Sequence, residues 1–276
     1  MSYNIERIKL NNNTYMPSVG FGTSMVVGEK CVEIIKKAIE VGYRHIDTAS
    51  AYKNEKEIGK ALAESDLNRK DLFITSKVWK DSMGFDNTIK SFENTLLDLG
   101  LEYIDLFLIH WPKNNDEKLN IETWRALEKL YKEGKVRAIG VSNFLEHHLK
   151  IILDNCEIKP AVNQIEFHPG LMREGTRKIC KENDIIVEAW SPLGKGKMLK
   201  NELLIETAKK YNKSVAQLCL KWCLQNDVIP LPKSENEIRM KENLDLFDFQ
   251  ISDEDIRLIN SMGYFDGSDM DPNSFN

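Results

Sequence analysis

Gly42-Tyr-Arg-His-Ile-Asp47-Thr-Ala-Ser-Ala-Tyr52-Lys-Asn-Glu55 is the stretch on which the reading of the fold turns. A glycine suited to end a helix in the left-handed conformation leads directly into a short β-rich run, Tyr43–Ile46, that finishes on the carboxylate of Asp47. Tyr52 follows five residues later, and then a helix with an acidic first turn. Rigid elements hold chemical groups in place and loops present them. A carboxylate at a strand end with a tyrosine on the next loop therefore reads as part of a site. An Asp before Thr and Ser also suits a turn or a helix cap, and the stretch alone leaves both readings open.

Outward from it, one unit recurs from Val19 onward: a short β-rich run ending on polar residues, a helix, a glycine or turn, and the next strand. The helix Cys31–Val41 places Val32, Ile35, Ala38 and Ile39 on one face. Gly42 ends it, Gly100 follows Phe92–Leu99, and Gly134 follows Trp124–Glu133. The strands read as Val19–Phe21, Tyr43–Ile46, Leu72–Ser76, Ile104–Ile109, Val136–Val141, Ala161–Ile165, Ile185–Ala189 and Val228–Ile229. Many are apolar almost throughout, as strands covered on both faces must be. Their alternation with helices, with no linker or compositional break, predicts a parallel sheet with right-handed crossovers.

An open doubly wound sheet is the rival. Its glycine fingerprint fails here, because Gly20-Phe21-Gly22 is followed by Met25 where the third glycine belongs, and no Walker A motif occurs. The expectation is an α/β fold, a closed (β/α)8 TIM barrel in a single domain over residues 1–276. Ile5–Leu10 and Thr14–Met16 add an N-terminal β-hairpin around Asn11-Asn12-Asn13, and a C-terminal helix and tail end the chain.

Bulk properties exclude other classes. Of 276 residues, 42% are hydrophobic and 29% charged, ordinary for a soluble globular protein that buries a sizeable core. A net charge of −5 argues against a nucleic-acid or anionic-membrane surface. No apolar run reaches the roughly 18 residues of a membrane span, and the first residues carry no apolar signal region. A cytoplasmic, monomeric protein is expected. The five cysteines, Cys31, Cys156, Cys180, Cys219 and Cys223, are scattered over predicted helices and read as buried reduced thiols. No metal site is expected.

In a closed barrel the chemistry sits at the C-terminal ends of the strands. Those ends here read Gly22-Thr23, Asp47, Lys77, His110, Ser142-Asn143, Gln164, Trp190-Ser191 and Lys233-Ser234. Groups handed to one rim by eight strands make a site. In order along the chain stand GYRHIDTASAYKNE, ITSKVW, LIHWP, VSNF, NQIEFHP, WSPLG and PLPKSENEIRMKEN. In these motifs, from about Gly20 to Asn243, the chain resembles the aldo-keto reductase family. It looks most like the small branch that includes diketogluconate reductases and the protozoan and bacterial prostaglandin F synthases.

The resemblance implies NADPH-dependent reduction of small carbonyl substrates, with a tetrad of Asp47, Tyr52, Lys77 and His110. Hydride delivery to a carbonyl carbon builds charge on oxygen, which needs a proton donor and fixed dipoles. A free phenol holds its proton tightly at neutral pH, and a lysine ammonium beside it favours the phenolate and lowers its pKa. Asp47 would hold Lys77, and His110 would orient the carbonyl. Taken singly, Lys77 also fits a surface position and His110 a satisfied core histidine.

By the same resemblance Ser142, Asn143 and Gln164 would bind the nicotinamide carboxamide, and Trp190 would stack on the ring. Ser191 and Leu193 would meet the pyrophosphate, with Gly22, Thr23 and Asp47 also on the cofactor side. Lys233, Ser234 and Arg239 would hold the 2′-phosphate, the right chemistry for a dianion, and Glu242 and Asn243 would hold the adenine. Met25, Trp79 and Trp111 would line the substrate pocket beside Tyr52 and His110. Ser24-Met25 replace a tryptophan common in the family, which leaves pocket shape open. The tail after Met262, with Tyr264, Phe265 and Phe275, is expected to fold back toward the rim. His147 and His148 read as solvated, and His45 and His168 have no assigned role. A cofactor-sensing subunit or a metal-dependent barrel lyase or hydrolase are the alternatives on the same fold.

Overall fold

The computed structural model describes residues 5–265 and 267–274. A hairpin comes first, β1 (Arg7–Lys9) antiparallel to β2 (Tyr15–Pro17). Eight parallel strands follow in chain order around one sheet: β3 (Phe21–Gly22), β4 (His45–Asp47), β5 (Phe73–Val78), β6 (Ile104–Ile109), β7 (Val136–Ser142), β8 (Val162–Glu166), β9 (Ile186–Trp190) and β10 (Val228–Pro230). The helices between and after them are α1 (Glu29–Val41), α2 (Glu55–Ala63), α3 (Phe85–Leu99), α4 (Glu117–Lys132), α5 (Glu146–Asn155), α6 (Glu174–Glu182), α7 (Glu202–Lys210), α8 (Val215–Gln225), α9 (Glu237–Leu244) and α10 (Asp253–Asn260).

Two backbone hydrogen bonds join the last strand to the first and close the ring, Gly20 N–H to Pro230 O at 3.1 Å and Gly22 N–H to Pro232 O at 3.0 Å. Closure needs a glycine at position 20. A Cβ there would lie 2.4 Å from Leu231 Cδ2 and 2.7 Å from His45 Nδ1. The fold is the (β/α)8 barrel expected from the alternation of elements. Gly42, at φ 126°, ends α1 as expected, its N–H bonded to the carbonyls of Ala38 and Ile39.

Period-two alternation along the strands divides the core in two. Ile46, Ile74, Val78, Phe107, Ile109, Ile139, Val141, Ile165, Val187 and Ala189 face outward and pack against the helices. Inward positions change character up the barrel axis. At the lower end Phe73, Leu106, Leu108, Ala138, Val162 and Ile229 pack with Leu10 and Met16 of the hairpin, so the hairpin plugs the barrel floor. Asn11 and Asn12 pin it there through the carbonyls of Pro160 and Arg137, both at 2.8 Å. Two and four residues further along β5 the inward positions become Thr75 and Lys77. On β8 they become Gln164 and Glu166, and on β9 Glu188 and Trp190. The alternation that builds an apolar floor therefore delivers a polar layer to the upper mouth.

β6 has the limits read from the sequence, and the other strands shift by a residue or more at one end or both. Lys77 and Gln164, expected at strand ends, lie inside β5 and β8. The tail folds back as expected: Phe265 N–H meets Gly170 O at 2.9 Å, Asn114 Nδ2 meets Pro272 O at 2.8 Å, and Ser268 bonds Glu166. Tyr264 stays 76% exposed, and Phe275 lies outside the described residues. His148 corrects the expectation of a solvated pair. It is 3% exposed, its Nδ1 accepts from Leu145 N–H at 3.2 Å and its Nε2 pairs with Asn114 Oδ1 at 2.7 Å, whereas His147 is exposed. Four cysteines are buried and Cys156 is half-buried. Burial pushes the thiols of Cys31, Cys180 and Cys219 up to about 12, which makes them poor nucleophiles at neutral pH.

Candidate active site

Asp47 ends β4 opposite Thr75, and Lys77, fully buried two residues further along the neighbouring strand, reaches across to it. Lys77 Nζ donates to Asp47 Oδ1 at 2.7 Å and to the Thr48 carbonyl at 2.9 Å, and lies 5.1 Å from the centre of the Tyr52 ring. Tyr52 closes the short turn Ser50–Tyr52. His110 follows β6 and sets its ring edge-on to Tyr52 with centroids 5.5 Å apart, while Trp79 packs against its other side at 5.0 Å. Four residues from four elements thus meet at one point of the rim.

Charge at this point is settled by burial against neighbours. For Lys77, burial pulls its pKa down, yet Asp47, with Tyr52 and Glu188 adding, holds the ammonium above its ordinary value. For Tyr52 the balance runs against the sequence expectation. Burial raises the phenol, Lys77 lowers it, Asp47 raises it, and the net shift is upward. The lysine therefore limits the rise and does not bring the phenol below its ordinary value. Burial, with Lys77 second, drives His110 well below the usual histidine range, so its imidazole is neutral at pH 7. Its Nδ1 is buried without a partner among the described residues, which leaves Nε2 as the nitrogen open to the cleft.

Above the tetrad runs a cleft of about 2010 Å³. Lys77 stays beneath its floor, while Asp47, Tyr52 and His110 line it. Trp79, Trp111 and Met25 form walls on the tyrosine side, joined by Met270 of the tail. Met25 sits at φ 65° and is 84% exposed, a rim residue. Ser142, Asn143, Gln164 and Trp190 line the cleft, and Ser191 and Leu193 follow on the loop after β9. Gly22, Thr23, Lys233, Ser234, Arg239, Glu242 and Asn243 line it as well. Every site residue read from the sequence is accounted for by this one cleft and the lysine under it.

The hydrogen bonds within the cleft were not legible in advance. Trp190 Nε1–H donates to Asn143 Oδ1 at 2.8 Å, and Asn143 Nδ2 donates to the His110 carbonyl at 3.0 Å. The indole is thereby tied to the backbone of the tetrad histidine. Gln164 Nε2 donates to Asp47 Oδ2 at 2.8 Å and to Glu188 Oε2 at 2.9 Å. Both its protons are used, and the side-chain oxygen is the atom left for the cleft. Lys233 is paired with Glu235 at 2.8 Å. Asn236 caps α9 by accepting from Arg239 N–H at 3.1 Å.

The sequence profile of the Aldo/keto reductase family matches residues 18–263. The chain belongs to that family. Among its relatives, a glyoxal reductase of Bacillus subtilis is 51% identical over 93% of this chain and 92% of its own length. A 9,11-endoperoxide prostaglandin H2 reductase of Trypanosoma cruzi is 43% identical over 100% of this chain and 98% of its own. A solved Bombyx mori aldo-keto reductase in complex with NADP superposes with a TM-score of 0.86 at 35% identity, covering 93% of this chain and 92% of that one. As an aldo-keto reductase, the chain is an NAD(P)-dependent oxidoreductase.

Three residues of this aldo-keto reductase were missed by sequence reasoning. Asn54 is fully buried and joins two rim loops: it accepts from the Thr48 hydroxyl at 2.7 Å and donates to the carbonyls of Thr23 and Val26 at 3.0 and 2.9 Å. It stands at the N-cap position of α2, yet its side chain makes no capping hydrogen bond to that helix. His45, which had no assigned role, is fully buried and bonds Thr75 Oγ1 at 2.9 Å. Glu188 is fully buried beside Gln164, its register partner. The available signal for the last two was an ionisable residue at an inward position of an otherwise apolar strand.

Proposed function

We propose that this chain reduces aldehydes and ketones to alcohols with NADPH, and that Tyr52 donates the proton. One observation carries the reading: the Lys77 ammonium, fixed by Asp47, lies beneath Tyr52 while neutral His110 faces it, at the edge of a cleft that also reaches Lys233 and Arg239. The cleft suits the cofactor. It offers an indole face at Trp190 for a flat ring, the free Gln164 oxygen for an amide, and two cations for a phosphate.

When bound, NADPH supplies the hydride to the carbonyl carbon. The chain's own residues handle the charge that then develops on oxygen. His110 Nε2–H orients and polarises that oxygen, and a neutral imidazole does so without surrendering its proton. Tyr52, whose raised pKa keeps it protonated at pH 7, donates its proton to the alkoxide. Lys77 then stabilises the phenolate left behind, and Asp47 keeps Lys77 charged and in place. Trp79 and Trp111 give the substrate end of the cleft apolar walls.

The Bacillus subtilis relative makes small dicarbonyl aldehydes such as glyoxal the first substrates to try. NADPH consumption should be followed against glyoxal, simple aldehydes and ketones. Aldehydes are expected to turn over readily. A panel that yields no consumption above the enzyme-free rate refutes the proposal.

A further inference from the structure

The polar layer of the barrel holds a carboxyl group that the proposed reaction does not use. Glu188 lies two residues before Trp190 on β9, on the same inward side. A single amide nitrogen, Gln164 Nε2, bridges it to Asp47, at 2.9 Å from Glu188 Oε2 and 2.8 Å from Asp47 Oδ2. The other Asp47 oxygen is taken by Lys77, which is held in addition by the Thr48 carbonyl. The other Glu188 oxygen, Oε1, has no hydrogen-bond partner among the described residues. His45 Nε2 stands 3.7 Å from it but is bonded to Thr75. Glu188 is thus faced by Asp47 and His45 from β4, Lys77 from β5 and Gln164 from β8. These supply one cation, already committed to Asp47, and leave the second carboxyl group without a counter-ion.

The layer's titration follows from that arrangement. Burial, then the Asp47 charge, push Glu188 up to about 8, against the pull of Gln164 and Lys77. Burial, then Lys77, bring His45 down to about 3, so it stays neutral. Tyr52 and Lys77 are held above their ordinary values and His110 well below its own. Of these displaced groups, Glu188 is the one that changes charge between about pH 7 and 9.

We propose that Glu188 is a positioning residue that acts through Gln164: its carboxyl group carries a proton beneath the reduced cofactor and releases it to solvent when the nicotinamide is oxidised and positively charged. The inference rests on the NADPH reading above. The positive charge that accompanies loss of hydride supplies the counter-ion that Glu188 lacks. The proton that leaves Glu188 is distinct from the one Tyr52 gives to the substrate, so the reaction's own proton balance is unchanged.

The sign follows from linkage. A ligand that prefers ionised Glu188 binds more tightly as pH rises toward the free-protein pKa near 8, and no further above it. The 2′-phosphate titrates alike in both cofactors and cancels in their ratio. NADP+ and NADPH should be titrated separately into the full-length wild type and Glu188→Gln by tryptophan fluorescence at pH 6, 7, 8 and 9. In the wild type the affinity ratio should move about tenfold toward NADP+ between pH 6 and 8, the size of effect one unit charge has on another about 12 Å away at an effective dielectric near 20. In Glu188→Gln the ratio should be flat. In weak buffer near pH 7.5, NADP+ should release up to one proton from the wild type, and NADPH none. A flat wild-type ratio, or a slope that survives in the variant, overturns the proposal while the cofactor reading stands. If neither cofactor binds, both fail. If Glu188→Gln does not fold, infrared difference spectra of the wild type decide: NADP+ should remove a protonated-carboxyl band, and no loss of that band overturns the proposal.

Discussion

Removing the Arg239 side chain should weaken NADPH and spare NADH more selectively than any change in the tetrad. The Arg239 guanidinium is exposed in the first turn of α9, lines the cleft, and has no ion pair among the described residues. Its full charge is available to the 2′-phosphate that NADH lacks. Lys233 is differently placed, because it must first give up Glu235 at 2.8 Å, an exposed pair that offsets up to about 1 kcal/mol. A charge-assisted hydrogen bond contributes roughly 1.5–3 kcal/mol, so Arg239→Ala should weaken NADPH by about 10- to 150-fold. Lys233→Ala should cost less. Glu235→Gln frees Lys233 and should tighten NADPH by up to about fivefold. NADH affinity should stay within about a factor of two throughout, and the preference for NADPH should shrink as salt rises. Both cofactors can be titrated into each variant by fluorescence, with Trp190 in the cleft as a reporter. Equal losses for NADH and NADPH in Arg239→Ala would refute the reasoning and assign Arg239 to the adenine or the fold. An unchanged Glu235→Gln would put Lys233 out of reach of the phosphate.

Tyr52→Phe should lower turnover at least ~100-fold with NADPH binding nearly unchanged; near wild-type turnover would remove Tyr52 from the mechanism. Lys77→Met leaves Asp47 buried without its cation and should destabilise the fold by about 3–5 kcal/mol, read as a lower urea midpoint, while the alkaline limb of its residual activity moves to higher pH because Tyr52 loses the cation that lowers its pKa. Trp190→Phe keeps a ring but loses the donor to Asn143 Oδ1. It should weaken NADPH by about fivefold, the net contribution of one hydrogen bond, and an unchanged affinity would show that Asn143 needs no such tether. Acid should destabilise the protein. His45, held at about 3, His148, at about 4, and His110, well below its ordinary value, must all charge on unfolding below about pH 6.5. Each can remove up to about 1.4 kcal/mol per pH unit. Glu188 acts in the opposite direction, because the folded state holds its proton between about 4.5 and 8 and the unfolded state does not. Urea midpoints should therefore fall between pH 6.5 and 5, and more steeply in Glu188→Gln. Midpoints that hold steady over that interval would contradict the buried neutral histidines.

The barrel was legible because its signals are local. Gly42 at a helix end, apolar runs about five residues long, and a polar residue closing each run are properties of neighbours in the chain, and they determined the order of elements and the rim on which Asp47, Tyr52 and His110 stand. What the sequence could not contain is which inward faces meet across the barrel. Gln164 lies 117 residues from Asp47, and its amide is oriented by a carboxyl group on a third strand. The tie of Trp190 to Asn143, the burial of His148 under Asn114, and the close approach that reserves position 20 for glycine have the same origin. The charge states depended still more on tertiary structure. A pKa is a balance of desolvation against nearby charge, and only the packed barrel shows that burial outweighs Lys77 at Tyr52 and leaves Glu188 without a counter-ion.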